Sequence, residues 1–156
     1  MTTTFENVLP ANSDTVLAIS GFGHLLYQAR GLQQTLSIIN AAKHTERTIN
    51  GALIDVSAPQ FRKFITKITC GDINAPPLDN VWPGMEITVH CACQLAYLTG
   101  NSGSPCRPVV SGSSYVQGSP SYTFYRPVLT MLVTSVDNNL DEWKADYKWA
   151  LEAEEV

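Results

Sequence analysis

Glu142-Trp-Lys-Ala-Asp-Tyr-Lys-Trp-Ala-Leu151 is the stretch on which the fold class turns. Its residues are helix formers, so intrinsic propensity favours a helix. Periodicity favours a strand. A helix groups Trp143, Tyr147, Ala150 and Leu151 but leaves Trp149 on the polar side. An extended chain gathers Trp143, Ala145, Tyr147, Trp149 and Leu151 on one face, opposite Glu142, Lys144, Asp146 and Lys148. Leaving Trp149 in water forfeits about 1.5 to 3 kcal/mol of burial, more than propensity recovers. The segment 142–153 is therefore predicted to be a strand, entered by a turn at Asp137-Asn-Asn-Leu-Asp141, and the chain reads as mainly β.

Working back from that segment, Tyr122 to Val136 is a long β-rich run containing Leu129, Met131 and Val133. Pro127 interrupts it near its start, as an edge or a bulge tolerates. Met85 to Tyr97 alternates, with Ile87, Val89, Cys91, Cys93, Leu95 and Tyr97 on one face and Thr88, His90, Ala92, Gln94 and Ala96 on the other. Residues 99–121 between these runs are dense in Gly, Ser, Asn and Pro, which predicts an exposed loop. Residues 60–70 carry mixed faces, a strand touched on both sides. The β-branched stretch 47–57 is expected to pair across Lys43-His-Thr-Glu46 with the segment 25–40, read as strand with a helix over 30–44 as its rival. Gly21-Phe-Gly23 marks a turn, a bulge or a close backbone approach and lacks the third glycine of a dinucleotide loop. Residues 1–14 are polar, contain Pro10 and Asn12, and read as an arm that needs a neighbour to be ordered. The expected fold is one domain over 15–156, an antiparallel β-barrel or β-sandwich with that extended N-terminal arm.

Composition points to contact surface. Charged residues make up 15% of the 156, against roughly 25% in an average soluble chain. Interfaces are poor in Lys, Glu and Asp because those groups are costly to desolvate. The formal net charge of -4 and the absence of a Lys/Arg run argue against nucleic acid as a partner, since such binding neutralises several phosphates together. Neither a basic-then-apolar leader nor an apolar stretch of about 20 residues is seen, so a soluble protein made in the cytoplasm is expected, with no membrane partner.

Candidate chemistry is sparse. Cys70, Cys91, Cys93 and Cys106, with His90 nearby, invite a zinc reading. Residues two apart in a strand lie roughly 6.5 Å apart, wide for two ligands on one tetrahedral ion, and His90 points the other way. Core thiols are the favoured reading, and a disulfide from Cys106 to Cys70 or Cys93 the remaining one. His24, His44 and His90 sit in no nucleophile motif. Glu154-Glu155 and Asp141-Glu142 are adjacent pairs that face opposite ways in a strand, unlike an acid and base flanking one bond. Glu152, Glu154 and Glu155 read as a solvated tail, or else as a charged contact to a basic neighbour. No catalytic residues, metal ligands or cofactor site are assigned, and the chain is read as non-enzymatic.

Arg47-Thr-Ile-Asn-Gly51, Ala58-Pro-Gln-Phe-Arg-Lys63, Val81-Trp-Pro-Gly-Met-Glu86, Phe124-Tyr-Arg-Pro-Val-Leu-Thr-Met131 and Asp141-Glu-Trp-Lys-Ala145 resemble segments of small virion structural proteins of tailed bacteriophages. The resemblance spans residues 25 to 156 and rests on turn and strand signatures. It implies a tail or baseplate component, with β subunits arranged in a ring, located in the virion, whose partners are copies of itself and other phage tail, baseplate or neck proteins. On that expectation the arm and the long loop carry the assembly contacts, with Phe5, Val8, Leu9, Tyr115, Val116 and Tyr122 as the candidate residues. The alternative is a carbohydrate-binding β module that stacks sugar rings on Trp143, Tyr147 and Trp149.

Overall fold

The computed structural model describes residues 17–20, 31–76, 78–101, 103–118 and 121–156. The expected arm, with Phe5, Val8 and Leu9, lies outside them, as do Gly21-Phe-Gly23 and His24. The fold is mainly β, as expected. Six strands form one curled antiparallel sheet in the order β1-β6-β10-β11-β5-β2. They are β1 (Ala18–Ile19), β2 (Gln33–Ile38), β5 (Phe64–Asp72), β6 (Glu86–His90), β10 (Val128–Asp141) and β11 (Asp146–Glu155). A second sheet has the order β7-β9-β8, from β7 (Leu95–Leu98), β8 (Tyr115–Gln117) and β9 (Tyr122–Tyr125). A two-stranded ribbon pairs β3 (Thr45–Arg47) with β4 (Leu53–Asp55).

Alternation decides which face of the main sheet is buried. Thr66, Ile68 and Cys70 of β5 lie opposite Ala153, Leu151 and Trp149 of β11 in register, and all six are buried. Leu129 and Met131 of β10 lie opposite Val89 and Ile87 of β6 in the same way. The intervening Lys67, Thr130 and Glu154 face outward to water. Leu78 and Val81, from the loop between β5 and β6, join this core.

Residues 85–97 are not one strand. The chain bends at 91–94 and passes from the first sheet to the second, so Cys93, Leu95 and Tyr97 leave the face that Ile87, Val89 and Cys91 occupy. The 122–136 run crosses between the same two sheets at Arg126-Pro127. The two crossings are tied together where Cys91 N–H donates to the Pro127 carbonyl at 3.0 Å. Strands that change sheets at such corners are a property of packed β layers.

Gln34 explains the bend. Its Oε1 accepts the N–H groups of Ala92 at 2.7 Å and Cys93 at 3.1 Å, taking two donors that a continuous ladder would have used. Its Nε2 donates to Thr66 Oγ1 at 3.0 Å, and its carbonyl accepts the Cys93 thiol. One side chain on edge strand β2 thereby reaches the corner after β6 and draws the curled sheet towards closure.

The strand expectation at 142–153 holds in kind and moves in position. The strand is Asp146–Glu155, and 142–145 form the turn between β10 and β11. Asp141 Oδ1 accepts the N–H of Trp143 at 3.2 Å and sits within reach of that of Lys144, and Ala145 takes a φ of 50°. Asp137 to Asp141, expected as the turn, are instead the end of β10. A register shift between Val133 and Ser135 makes this possible. Beyond it the core-side residues of β10 change from odd to even positions, so that Val136 faces Leu151 and Asn138 faces Trp149.

The pairing expected between 25–40 and 47–57 is also corrected. The described part of the first segment is strand β2, followed by a short 3-10 turn at Asn40–Ala42, and β2 pairs with β5. The second segment folds back on 45–47 to make the ribbon. Asn50-Gly51 is the cause: Gly51 adopts a φ of 80°, its N–H donates to the Thr48 carbonyl, and Thr48 N–H donates to Ala52, the geometry of a three-residue hairpin loop ending in a left-handed residue.

Candidate assembly surfaces

The ribbon is an extension of the connection between β2 and β5. Every residue from 43 to 56 is exposed, although Leu53, Ile54 and Val56 are apolar and Ile49 stands at the tip at 106% of its reference exposure. Ile38 and Phe61, at the base of the ribbon, are exposed as well. A two-stranded ribbon by itself is marginal in water. This surface was missed by the sequence reading, and Asn-Gly between β-branched residues was the signal for it.

Tyr115, Val116 and Tyr122 are exposed by 45%, 61% and 42%. Register places Tyr115 opposite Phe124 and Gln117 opposite Tyr122, so the tyrosines share the outer face of the second sheet while Val116 lies on the other. Tyr115 stacks on Phe124 with ring centres 5.2 Å apart and donates to Gln94 Oε1 at 3.2 Å. Most of the described residues of 99–121, the stretch that supplies Tyr115 and Val116, are exposed as expected, but part of it packs inward. Val110 and Ser113 are buried, and Ser113 Oγ donates to the Val110 carbonyl and accepts Arg126 N–H.

That stretch is locked to the sheet by Arg107. Its guanidinium grips the Glu155 carboxylate, donates to the Arg62 carbonyl at 2.7 Å and lies over the Phe64 ring at 5.3 Å. The Glu155 bond pushes the Arg107 pKa up. Glu152 and Glu155 are therefore not a solvated tail: both lie in β11, Glu155 is bound by Arg107, and Glu152 meets Lys67 across the strands at 2.8 Å. The Lys67 contact is at the surface, where water and salt screen it.

The far end of the sheet carries the β10–β11 turn, with Leu140 exposed and Trp143 exposed by 98%. Beside it, on the outer face, an open groove of about 530 Å³ runs over Gly71 and Ala150 between Gln33, Asp137, Asn139, Asp146 and Lys148. The aromatic face expected for sugar stacking does not form. Trp149 is buried at 3% exposure against Cys70, while Trp143 stands alone in the turn.

All four cysteines are free thiols. Cys70 and Cys91 are core residues whose pKa values burial pushes up to about 12; Cys93 is half-buried and Cys106 exposed. Among the described residues no group of three or more His, Cys, Asp or Glu is placed to hold a metal ion. His90 is held below its ordinary pKa by burial and by the charge of Arg126, and His44 is an exposed partner of Glu46 at 3.3 Å. Among the described residues no helix is long and apolar enough to cross a membrane. Comparisons of the chain with protein-family models, curated proteins and solved structures found no match.

Proposed function

We propose that this chain is a structural subunit whose work is to bind copies of itself in a ring, within the tail or baseplate of a phage particle as the sequence resemblance implies. The observation that carries the reading is the ribbon 43–56, which displays Ile49, Leu53, Ile54 and Val56 to solvent. Leu53, Ile54 and Val56 are already about half covered, so burying what these four side chains still expose stabilises a contact by roughly 4 to 8 kcal/mol. Association costs about 4 to 15 kcal/mol in lost freedom. The ribbon alone thus comes close to break-even, and a stable ring needs a second surface, for which Tyr115 and Tyr122 on the second sheet are suited.

Native mass spectrometry of the full chain, with and without a reductant, tests the reading because it reports copy number, bound metal and disulfide mass together. A closed, metal-free oligomer is the expected result. A monomer at every accessible concentration, or a monomer carrying a stoichiometric metal ion, overturns it.

A further inference from the structure

The sheets end in edges of different kinds. An edge strand offers unpaired N–H and C=O groups to a neighbouring chain, and proteins guard it with charge, proline, bulges or a covering segment. The ribbon edges carry Glu46, Arg47 and Asp55. β1 is two residues long, and β2 is joined through Gln34 to the corner after β6. In the second sheet the backbone of Gly103 lies against Tyr97 and Leu98 of β7, so closely that a side chain there has no room. β8, at the opposite edge, has none of these guards. Among the described residues it pairs with β9 alone, and Tyr115, Val116 and Gln117 are all exposed. Tyr115 does not shield the edge, because its ring leans over Phe124 to reach Gln94 on the β7 side.

Charge indicates the partner. Of the chain's 10 Lys and Arg and 14 Asp and Glu, only Arg107 falls within residues 87–125, which supply the whole second sheet, and Glu155 neutralises it. Two copies of a chain with net charge -4 repel overall. On this surface they meet with no like charges opposed and none to desolvate.

We propose that β8 pairs antiparallel with β8 of a second copy across a twofold axis, Val116 opposite the partner's Val116 and Tyr115 opposite the partner's Gln117. The inference rests on the self-assembly reading above and specifies its second surface. The two second sheets then become one, in the order β7-β9-β8-β8-β9-β7, with Tyr115 and Tyr122 of both copies on the same face. The two Val116 side chains, each 61% exposed in the free subunit, meet on the other face at cross-strand contact distance. Three residues a side fall short of the roughly 800 Å² per partner of a stable complex, so this contact alone makes a weak dimer. It is isologous and stops at two copies. Combined with a ribbon contact that runs round a ring, it pairs two rings.

Variants of the full chain test the pairing, with far-ultraviolet circular dichroism and a cooperative melt verifying that each is folded. Val116→Lys and Val116→Glu each set like charges directly opposite one another across the axis. In sedimentation velocity each alone is expected to associate at least about tenfold more weakly than the parent, a loss of 1.4 kcal/mol or more. Mixed in equal amounts they should recover association, because opposite charges then meet. Ile49→Asp disables the ribbon and leaves β8; at high concentration it should retain a dimer in which amide exchange at 115–117 is slowed. If the parent assembles while either Val116 variant alone associates equally well, while their mixture fails to recover, or while Ile49→Asp is monomeric, the β8 pairing is wrong and self-assembly uses another surface. If the parent itself never associates, both the pairing and the assembly reading fail.

Discussion

Arg107 holds Glu155 by a two-pronged bond, with Nε 2.6 Å from Oε1 and Nη2 3.0 Å from Oε2. The same carboxylate accepts the Phe64 N–H at 3.0 Å, so one acidic group joins the 103–118 stretch, the start of β5 and the end of β11. Both side chains are largely shielded, at 22% and 10% exposure, and a planar guanidinium meets a carboxylate in this way where a lysine offers one point charge.

Arg107→Ala leaves the Glu155 carboxylate poorly satisfied in a shielded position. Bonds to charged groups contribute about 1.5 to 3 kcal/mol, so a loss of about 2 to 3 kcal/mol in urea unfolding is expected. Arg107→Lys should restore only part of it. Unfolding midpoints unchanged by Arg107→Ala would show that the clamp carries no net stability.

Gln34→Ala removes the acceptor shared by Ala92 and Cys93. Two backbone donors then lose their partner at the corner between the sheets, at a cost of about 1 to 3 kcal/mol for each donor left unsatisfied. Hydrogen exchange should accelerate at both amides. Gln34→Glu keeps the acceptor and should protect them better than alanine does; equal exchange in all three proteins would refute the assignment.

Trp143 and Trp149 are six residues apart and should differ sharply. Trp149→Ala opens a hole in the core and is expected to cost about 3 to 5 kcal/mol. Trp143→Ala touches nothing in the subunit and should change stability by less than about 0.5 kcal/mol. Chemical denaturation of the two variants in monomeric conditions gives the comparison, and similar losses would contradict the placement of the turn at 142–145.

The thiols should react in the order of their exposure. Cys106 is expected to label quickly with an alkylating reagent at pH 8, Cys93 more slowly, and Cys70 and Cys91 only on unfolding, because burial removes access and raises their pKa values to about 12. The folded values lie above the unfolded ones, so this contribution to stability is complete below the unfolded thiol pKa. It declines as pH rises towards about 12. Peptide mapping after timed labelling checks the order, and early modification of Cys70 or Cys91 would overturn it.

Of the expected assembly residues, the structure places Tyr115 and Tyr122 on one exposed sheet face and Val116 on the other. It also presents the exposed ribbon at 43–56, whose Asn50-Gly51 turn is legible in the local sequence. The groove was not legible at all, since Gln33, Gly71, Asp137 and Lys148 come from four strands and meet only through register.

The mainly β class and the inward residues of β6 and the first half of β10 follow from the amino-acid order alone, whereas β5, whose faces read as mixed, turns Thr66, Ile68 and Cys70 inward only through its pairing with β11. Side chains in an extended chain alternate with period two, and Val89 and Met131 must leave water whatever their partners are. Trp149 settled β11 by the same argument. Where the strands stop was decided by the tertiary structure. The first strand of the 85–97 run stops at His90 because Gln34, 58 residues away from Ala92 in sequence, takes the N–H groups of Ala92 and Cys93, and β10 continues through Asp141 because the shift at Thr134 brings Val136 and Asn138 opposite Leu151 and Trp149. Alternation is written in neighbouring residues, whereas competition for a backbone donor and the register of two strands exist only after distant segments have met.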